Sequence, residues 1–473
     1  MMRILHYLPG LPPVRGGGLI KYALDLAEAQ DENNQVFLLV PGSISTRREK
    51  RYKANVRNAG TWKKIPLYKI KNPLPIPMAN GILDVEEFTL QCAEGIYRKF
   101  LEDVQPDVIH MHTLMGIHRE FLLEARAMEI PIIFTTHDYF GLCPTVNLFY
   151  KDSVCIRPYE DCGECSQNAF TEKRLLLEQS AVYKMYRNCN FLIRLFRMDI
   201  LKSRMSNLRS NQPDAKEKGV LKQTDVTVGN SAPQRCDQKQ NYKKLQKYYY
   251  EMFHNITCFH FNSNITKKIY EQHLGQLSGQ VIYISNKSIG DKRTIHESVG
   301  NLKIGFLGGD TALKGLRRLR LAVGEIYNNG MREIELQIYG SLIREEHPFC
   351  KYYDTFTEAE RDAVFTRMDI LAVPSSCMET FGMVVLEALS YGVPVMVSDK
   401  VGAKRILEQS SSELGIVLPD THKAWKACIE DIYNNRGKIR QYSENIGKEP
   451  LELRYSAHVD RIRQLYDGCM ENP

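Results

Sequence analysis

Residues 370–398 read ILAVPSSCMETFGMVVLEALSYGVPVMVS. The run Ile370–Val373 is apolar at every position and stops at Pro374. An eight-residue loop, Pro374–Phe381, follows, then an apolar stretch of helical length over Gly382–Ser390, then a second short apolar run, Val395–Ser398. Short runs without alternation are strands buried on both faces, as in a parallel sheet covered by helices. The stretch therefore predicts strand, loop, helix, strand. Upstream the same order recurs. Lys303–Leu307 is a strand ending in Gly308-Gly309, a helix begins near Lys314, and Glu335–Tyr339 is another strand.

The first half repeats the pattern. Arg3–Leu8 is a strand, Gly16-Gly17-Gly18 opens a helix, and Gln35–Val40 is a strand. Asp107–His112, Arg119–Met128 and Pro131–Thr136 continue as strand, helix, strand. Strands alternating with helices give parallel sheets with helices on both faces. At 473 residues the chain exceeds a single core. The expected architecture is α/β, with two facing Rossmann-like domains and a central cleft. One spans 1–290 and the other 296–453, and a last helix over 454–473 packs back on the first. Ligands of such sheets bind beyond the carboxyl ends of the strands.

Hydrophobic residues make up 43% and charged residues 25%, which excludes a disordered or collagen-like chain. No apolar run approaches the length of a membrane span. The N-terminus MMRILHYLPG lacks the parts of a signal peptide. A cytoplasmic protein with reduced cysteines is expected. The net charge of +7 is local: residues 166–300 hold 22 Lys/Arg against 11 Asp/Glu, a net of +11, leaving the remainder at −4. Between about 190 and 250 the alternation is lost, and this basic stretch reads as an insertion. Lys173-Arg174, Arg187, Arg194, Arg197, Lys202 and Arg204 are interleaved there with apolar residues. That pattern fits peripheral contact with an anionic membrane, or equally a solvated face over a packed core. No nucleic-acid motif accompanies the charge, so nucleic acid is not expected as a partner.

Four strand-end features could carry chemistry. Glu379 lies in the loop before the helix at Gly382, and Glu387 lies within MVVLEAL. A helix start suits a phosphate and a nearby carboxylate accepts from sugar hydroxyls. A helix-capping Glu379 and a solvated Glu387 are the plain alternative, against which stands the cost of an unpaired carboxylate in an apolar run. Lys314 follows a glycine turn and could meet a diphosphate, or could be an ordinary surface lysine. His137 ends a strand, where it could meet a sugar hydroxyl or serve structure alone. Cys143, Cys155, Cys162 and Cys165 cluster in a loop at 143–165; four thiolates match a structural zinc site, and free thiols over the cleft are the alternative.

The run PSSCMETFGMVVLEA, with SYGVPV after it, resembles the signature of glycosyltransferase family 4, in which two glutamates lie eight positions apart. The resemblance covers most of the chain outside 190–250. It implies a GT-B fold and a glycosyltransferase of the retaining type, using a nucleoside-diphosphate sugar donor held by the C-terminal domain. The acceptor, held by the N-terminal domain, would be a glycan or lipid-linked hydroxyl, and the implied context is cell-surface polysaccharide biosynthesis. By this similarity Glu387 would bind the donor ribose, Glu379 the sugar hydroxyls, and the Phe381 and Gly382 amides the diphosphate. Lys314 would neutralise the leaving phosphate, and His137 would contact the donor near the reacting carbon. Gly16 and Gly17 would form the loop touching diphosphate and acceptor. Fixed cations and amides serve where a metal otherwise would, so no cofactor is required for catalysis. One departure is clear. The family's usual arginine, five residues before the lysine, is Gly309 here. Arg317 and Arg318 are candidates to replace it; otherwise the chain is a non-catalytic sugar-nucleotide-binding or scaffold protein on the same fold.

Overall fold

The computed structural model describes residues 1–77, 81–156, 158–160, 162–186, 235–309 and 311–471. Two sheets organise it. The first contains β1 (Arg3–Tyr7), β2 (Gln35–Pro41), β3 (Asn55–Trp62), β4 (Ile65–Lys71), β5 (Val108–Met111) and β6 (Ile132–Thr135). After a small hairpin of β7 (Phe149–Tyr150) and β8 (Ser153–Val154), it is completed by β9 (Cys258–Phe261) and β10 (Gly279–Val281). Its order is β10-β9-β6-β5-β1-β2-β4-β3, parallel throughout except for the β3–β4 pair.

The second sheet contains β11 (Leu302–Leu307), β12 (Ile334–Tyr339), β13 (Cys350–Tyr353), β14 (Ile370–Val373), β15 (Val395–Ser398) and β16 (Gly415–Leu418). Its order, β13-β12-β11-β14-β15-β16, is wholly parallel. Renumbered from its first strand this is the 3-2-1-4-5-6 order of a doubly wound nucleotide-binding sheet. The order reverses between β11 and β14, so the loops leaving those two strands diverge around a crevice.

Burial explains why these runs are strands. All four residues of β5, β6, β14 and β15 are buried, as strands covered on both faces require. The antiparallel β3 is mostly exposed and carries no apolar pattern, so sequence alone does not reveal it.

The 190–250 stretch needs correction where it can be described. Residues 235–254 form a 20-residue helix, Arg235–His254. Tyr242, Leu245, Tyr249, Met252 and Phe253 are buried from it in the first domain's core. Tyrosines supply its apolar stripe at helical spacing, which disguises it in a basic sequence. Arg187, Arg194, Arg197, Lys202 and Arg204 lie outside the described residues. Lys173 and Arg174 are exposed on the short helix Glu172–Glu178. No helix among the described residues is long and apolar enough to cross a membrane. The last helix, Tyr455–Glu471, packs on the helix Gly18–Asp31 of the first domain. There the Tyr22 hydroxyl meets His458 Nε2 at 3.0 Å.

Candidate active site

Lys314 and Glu379 come together at the switch point of the second sheet. Lys314 ends a 3₁₀ turn, Ala312–Lys314, after β11, and Glu379 lies in the loop after β14. Gly315, next to the lysine, has φ +71°, and a Cβ there would sit 1.9 Å from the Pro374 carbonyl oxygen. Only glycine lets the two loops approach so closely. Lys314 Nζ then donates to Glu379 Oε1 at 2.7 Å, and the Ser375 hydroxyl donates to the other carboxylate oxygen. Burial works against both charges, yet the attraction prevails. It holds the Glu379 carboxyl below its ordinary value and the Lys314 amine above its own.

Glu387 projects from the helix Met383–Ser390 and is paired with Arg361 at 2.6 Å. That answers how a carboxylate survives in an apolar run: its charge is matched by a residue from the preceding helix, Arg361–Arg367. The helix carrying Glu387 begins after Gly382, whose φ of +91° fits glycine, and no side chain caps its first turn. Phe381 is buried beneath that turn.

Gly309 lies in open space, with nothing within 4 Å of an added Cβ. Of the two arginines considered as replacements, Arg317 is exposed. Arg318 turns inward, donating to the Ser376 hydroxyl at 2.8 Å and pairing with Asp420. Lys400, just beyond β15, pairs with the same Asp420 at 2.5 Å and donates to the Ser376 carbonyl at 3.1 Å. Two cations therefore flank the 374–382 loop. Lys400 was not singled out from the sequence, although its strand-end position was a usable signal. Arg361 had no signal, because it acts from a different helix.

His137 meets the opposite domain. The Thr380 hydroxyl donates to its carbonyl at 3.1 Å, and the Ser263 hydroxyl donates to the Thr380 carbonyl at 2.5 Å. The Glu379 loop and the β6 end are thus tied together. Burial drives the His137 imidazole well below its ordinary value, with His260 and His458 adding to the effect. Gly16 and Gly17 precede the helix Gly18–Asp31 in open space, and Gly17 adopts φ +114°. Beside them a cavity of about 690 Å³ opens past the ends of β1 and β2, lined by Leu11, Arg15, Pro41, Lys69, Ile76 and Gln179 among others.

In the 143–165 loop Cys143 and Cys162 are buried and Cys155 and Cys165 partly so. Burial raises the Cys162 thiol, and Cys143, Cys165 and Cys155 raise it further, so the four share one neighbourhood. The groups of three or more candidate ligand atoms that converge among the described residues are elsewhere: His6, His110 and His112, and Asp84, Glu87 and Glu172. Thiolate donors of this kind would suit zinc.

Residues 312–449 match the family model of the glycosyl transferases group 1. No curated protein matches the chain in sequence. Among solved structures it is similar to sucrose-phosphate synthase from Thermosynechococcus elongatus, at 11% identity and a TM-score of 0.55, with both chains fully covered. It is similar to Anabaena Alr3699/HepE in complex with UDP at 12% identity and a TM-score of 0.54, over 99% of this chain and 100% of that one. It is also similar to the catalytic domain of Starch Synthase IV from Arabidopsis thaliana bound to ADP and acarbose, at 13% identity and a TM-score of 0.53, with both chains fully covered. The chain thus has the two-domain GT-B fold of glycosyltransferases, and its segment 312–449 carries the similarity to group 1.

Proposed function

We propose that the protein is a retaining glycosyltransferase that moves a sugar from a nucleoside diphosphate to a hydroxyl of a glycan or lipid-linked acceptor. The observation that carries this reading is the Lys314–Glu379 pair at the switch point of the 3-2-1-4-5-6 sheet. Its surroundings suit a donor of that kind. Lys314, with Arg318 and Lys400 nearby, gives a concentration of fixed cations for a diphosphate. In this reading the diphosphate takes over Lys314, and the Glu379 carboxylate is released to accept from sugar hydroxyls. Glu387, fixed by Arg361, is the ribose-binding carboxylate. The uncapped helix start at Phe381–Gly382 offers amides to the phosphate.

The bond from the sugar C1 to the phosphate oxygen breaks, the acceptor oxygen bonds to C1 on the same face, and the acceptor hydroxyl's proton passes to the leaving phosphate oxygen. Lys314 and the helix amides stabilise the charge left on the phosphate. The His137–Thr380 contact holds the domains closed and excludes water from that step. The cavity beside Gly16 and Gly17 would receive the acceptor, and its Arg15 and Lys69 favour an anionic or lipid-phosphate-linked one. Cell-surface polysaccharide synthesis at a membrane face is the setting this suggests. Zinc at the cysteine loop is proposed only as a structural ion, and metal analysis of the purified chain tests it.

The test is a thermal-shift screen across UDP-, GDP- and ADP-sugars, followed by transfer and donor-hydrolysis assays. A stabilising donor that is consumed supports transfer. One specific observation favours a second reading. Gly309 has room for a larger side chain yet supplies no cation, as in a sugar-nucleotide-binding scaffold. Binding without transfer or hydrolysis, with acceptors supplied, would favour that scaffold.

A further inference from the structure

Six of the chain's twelve histidines gather where the last helix docks on the first domain: His6, His110, His112, His137, His260 and His458. The parallel register brings them together. His6 lies beside His110 on the neighbouring strand, and Thr135 lies beside His260. Five of the rings form one continuous hydrogen-bonded path with a deducible direction.

The path starts at the Ile282 carbonyl, which can only accept. His260 Nε2 lies 2.8 Å from it and must donate. In a neutral ring His260 Nδ1 then accepts, from the Thr135 hydroxyl at 2.8 Å. Thr135 Oγ1 in turn accepts from His110 Nε2 at 2.6 Å. His110 Nδ1 accepts from the Tyr466 hydroxyl at 2.5 Å. Having donated, Tyr466 accepts from the Gln30 amide nitrogen at 3.3 Å. This fixes the amide orientation and turns Gln30 Oε1 toward His6 Nε2, which donates at 2.8 Å. His6 Nδ1 accepts from His112 Nε2 at 3.0 Å, and His112 Nδ1 accepts from His137 Nε2 at 3.3 Å. Every link is satisfied, and the chain of assignments ends with a lone pair on His137 Nδ1, which has no partner among the described residues.

The rings are neutral for a structural reason. Among the described residues none of these nitrogens meets a carboxylate that would favour a second proton. Burial, which lowers all five imidazoles below their ordinary range, acts in the same sense.

We propose that Tyr466 and Gln30 are positioning residues that hold His137 as the Nε2–H tautomer, so that its Nδ1 is presented as an acceptor to a substrate hydroxyl. The tautomer stands on the hydrogen-bond geometry. Only the identity of the hydroxyl rests on the glycosyl-transfer reading. Tyr466 belongs to the last helix, so the docking of the chain's end onto the first domain sets the chemistry of a residue at the cleft. A three-histidine metal centre at His6, His110 and His112 is the competing use of these groups. It is disfavoured because all six of their nitrogens are already hydrogen-bonded. Moreover, the His110 and His112 rings stack at 4.2 Å, and stacked rings direct their in-plane lone pairs side by side instead of at a common point.

The test is long-range ¹H–¹⁵N correlation spectroscopy on the full chain with ¹⁵N-labelled histidine at pH 7.5, without donor. His137→Gln identifies the signals of that ring. In the wild type they should show a neutral imidazole protonated on Nε2. Tyr466→Phe removes the group that orients Gln30. Either amide orientation then leaves one polar atom unpaired, and the whole His6–His112–His137 run can reverse. The His137 signals should move to the average of two tautomers. Gln30→Met should do the same and serves if Tyr466→Phe does not fold. A wild-type His137 protonated on Nδ1 or on both nitrogens overturns the proposal, as does an unchanged tautomer in both folded variants or stoichiometric zinc on these histidines. None of these readouts needs turnover. A chain that transfers sugar with the opposite tautomer would overturn this proposal and leave the transfer reading intact.

Discussion

Arg361 and Glu387 form a 2.6 Å ion pair with side chains only 12% and 13% exposed. Glu387 is therefore a structural partner as well as a candidate ribose ligand. Glu387→Ala leaves the Arg361 charge largely buried and unmatched, which should cost about 3 kcal/mol of stability. Glu387→Gln keeps an acceptor and should cost less. Urea denaturation of both variants checks the order, and donor titration of Glu387→Gln separates binding from folding.

Gly315→Ala should disable the site by moving the lysine loop. The left-handed backbone costs about 1–3 kcal/mol for a non-glycine residue, and the Cβ would overlap the Pro374 carbonyl. The expected outcome is a lower melting temperature together with loss of donor binding. Wild-type donor affinity in Gly315→Ala would show that the loop approach does not matter.

Gly309→Arg should be tolerated, because nothing occupies the space around that position. Stability should stay within about 0.5 kcal/mol of wild type, as for most surface changes. The added cation should tighten binding of a nucleoside diphosphate, measured by calorimetry with UDP, GDP and ADP. Weaker binding of all three would place Gly309 away from the diphosphate.

The buried histidines make the fold sensitive to acid. Burial holds His6 and His260 at about 4 and His118 at about 3, and pushes His110, His112, His137 and His458 down as well. The unfolded chain takes up these protons near 6.5, while the folded chain does not. Stability is therefore present above about pH 6.5 and falls as pH drops toward 4, by up to about 1.4 kcal/mol per pH unit for each histidine. Burial raises Asp138 to about 6 and Glu87 to about 7, and these two oppose the trend because the folded state holds their protons. Seven groups outweigh two, so the urea midpoint should be lower at pH 5 than at pH 7.5. An equal or higher midpoint at pH 5 would contradict the buried, neutral assignment.

The second sheet was legible because parallel strands covered on both faces leave uninterrupted apolar runs, and its glycine loops mark the strand ends. Lys314, Glu379 and His137 were singled out by strand-end position together with the family resemblance. The helix Arg235–His254 was hidden because its buried stripe is built from tyrosines among lysines. The histidine path was hidden because its members are spread from His6 to Tyr466 and meet only through strand register. Arg361 was hidden for the same physical reason: a counter-charge supplied by a different helix leaves no local pattern. The inward turn of Arg318, but not of its neighbour Arg317, likewise depends on Ser376 and Asp420, which sequence spacing does not place.

The most direct test of the central claim is sugar transfer by wild type and Lys314→Ala, each shown to be folded by circular dichroism, with the donor that stabilises the wild type. Removing a group that stabilises developing charge typically costs about 10²–10³ in rate. The account predicts transfer by the wild type and a loss of that order in Lys314→Ala. Equal transfer by the two folded proteins would contradict it.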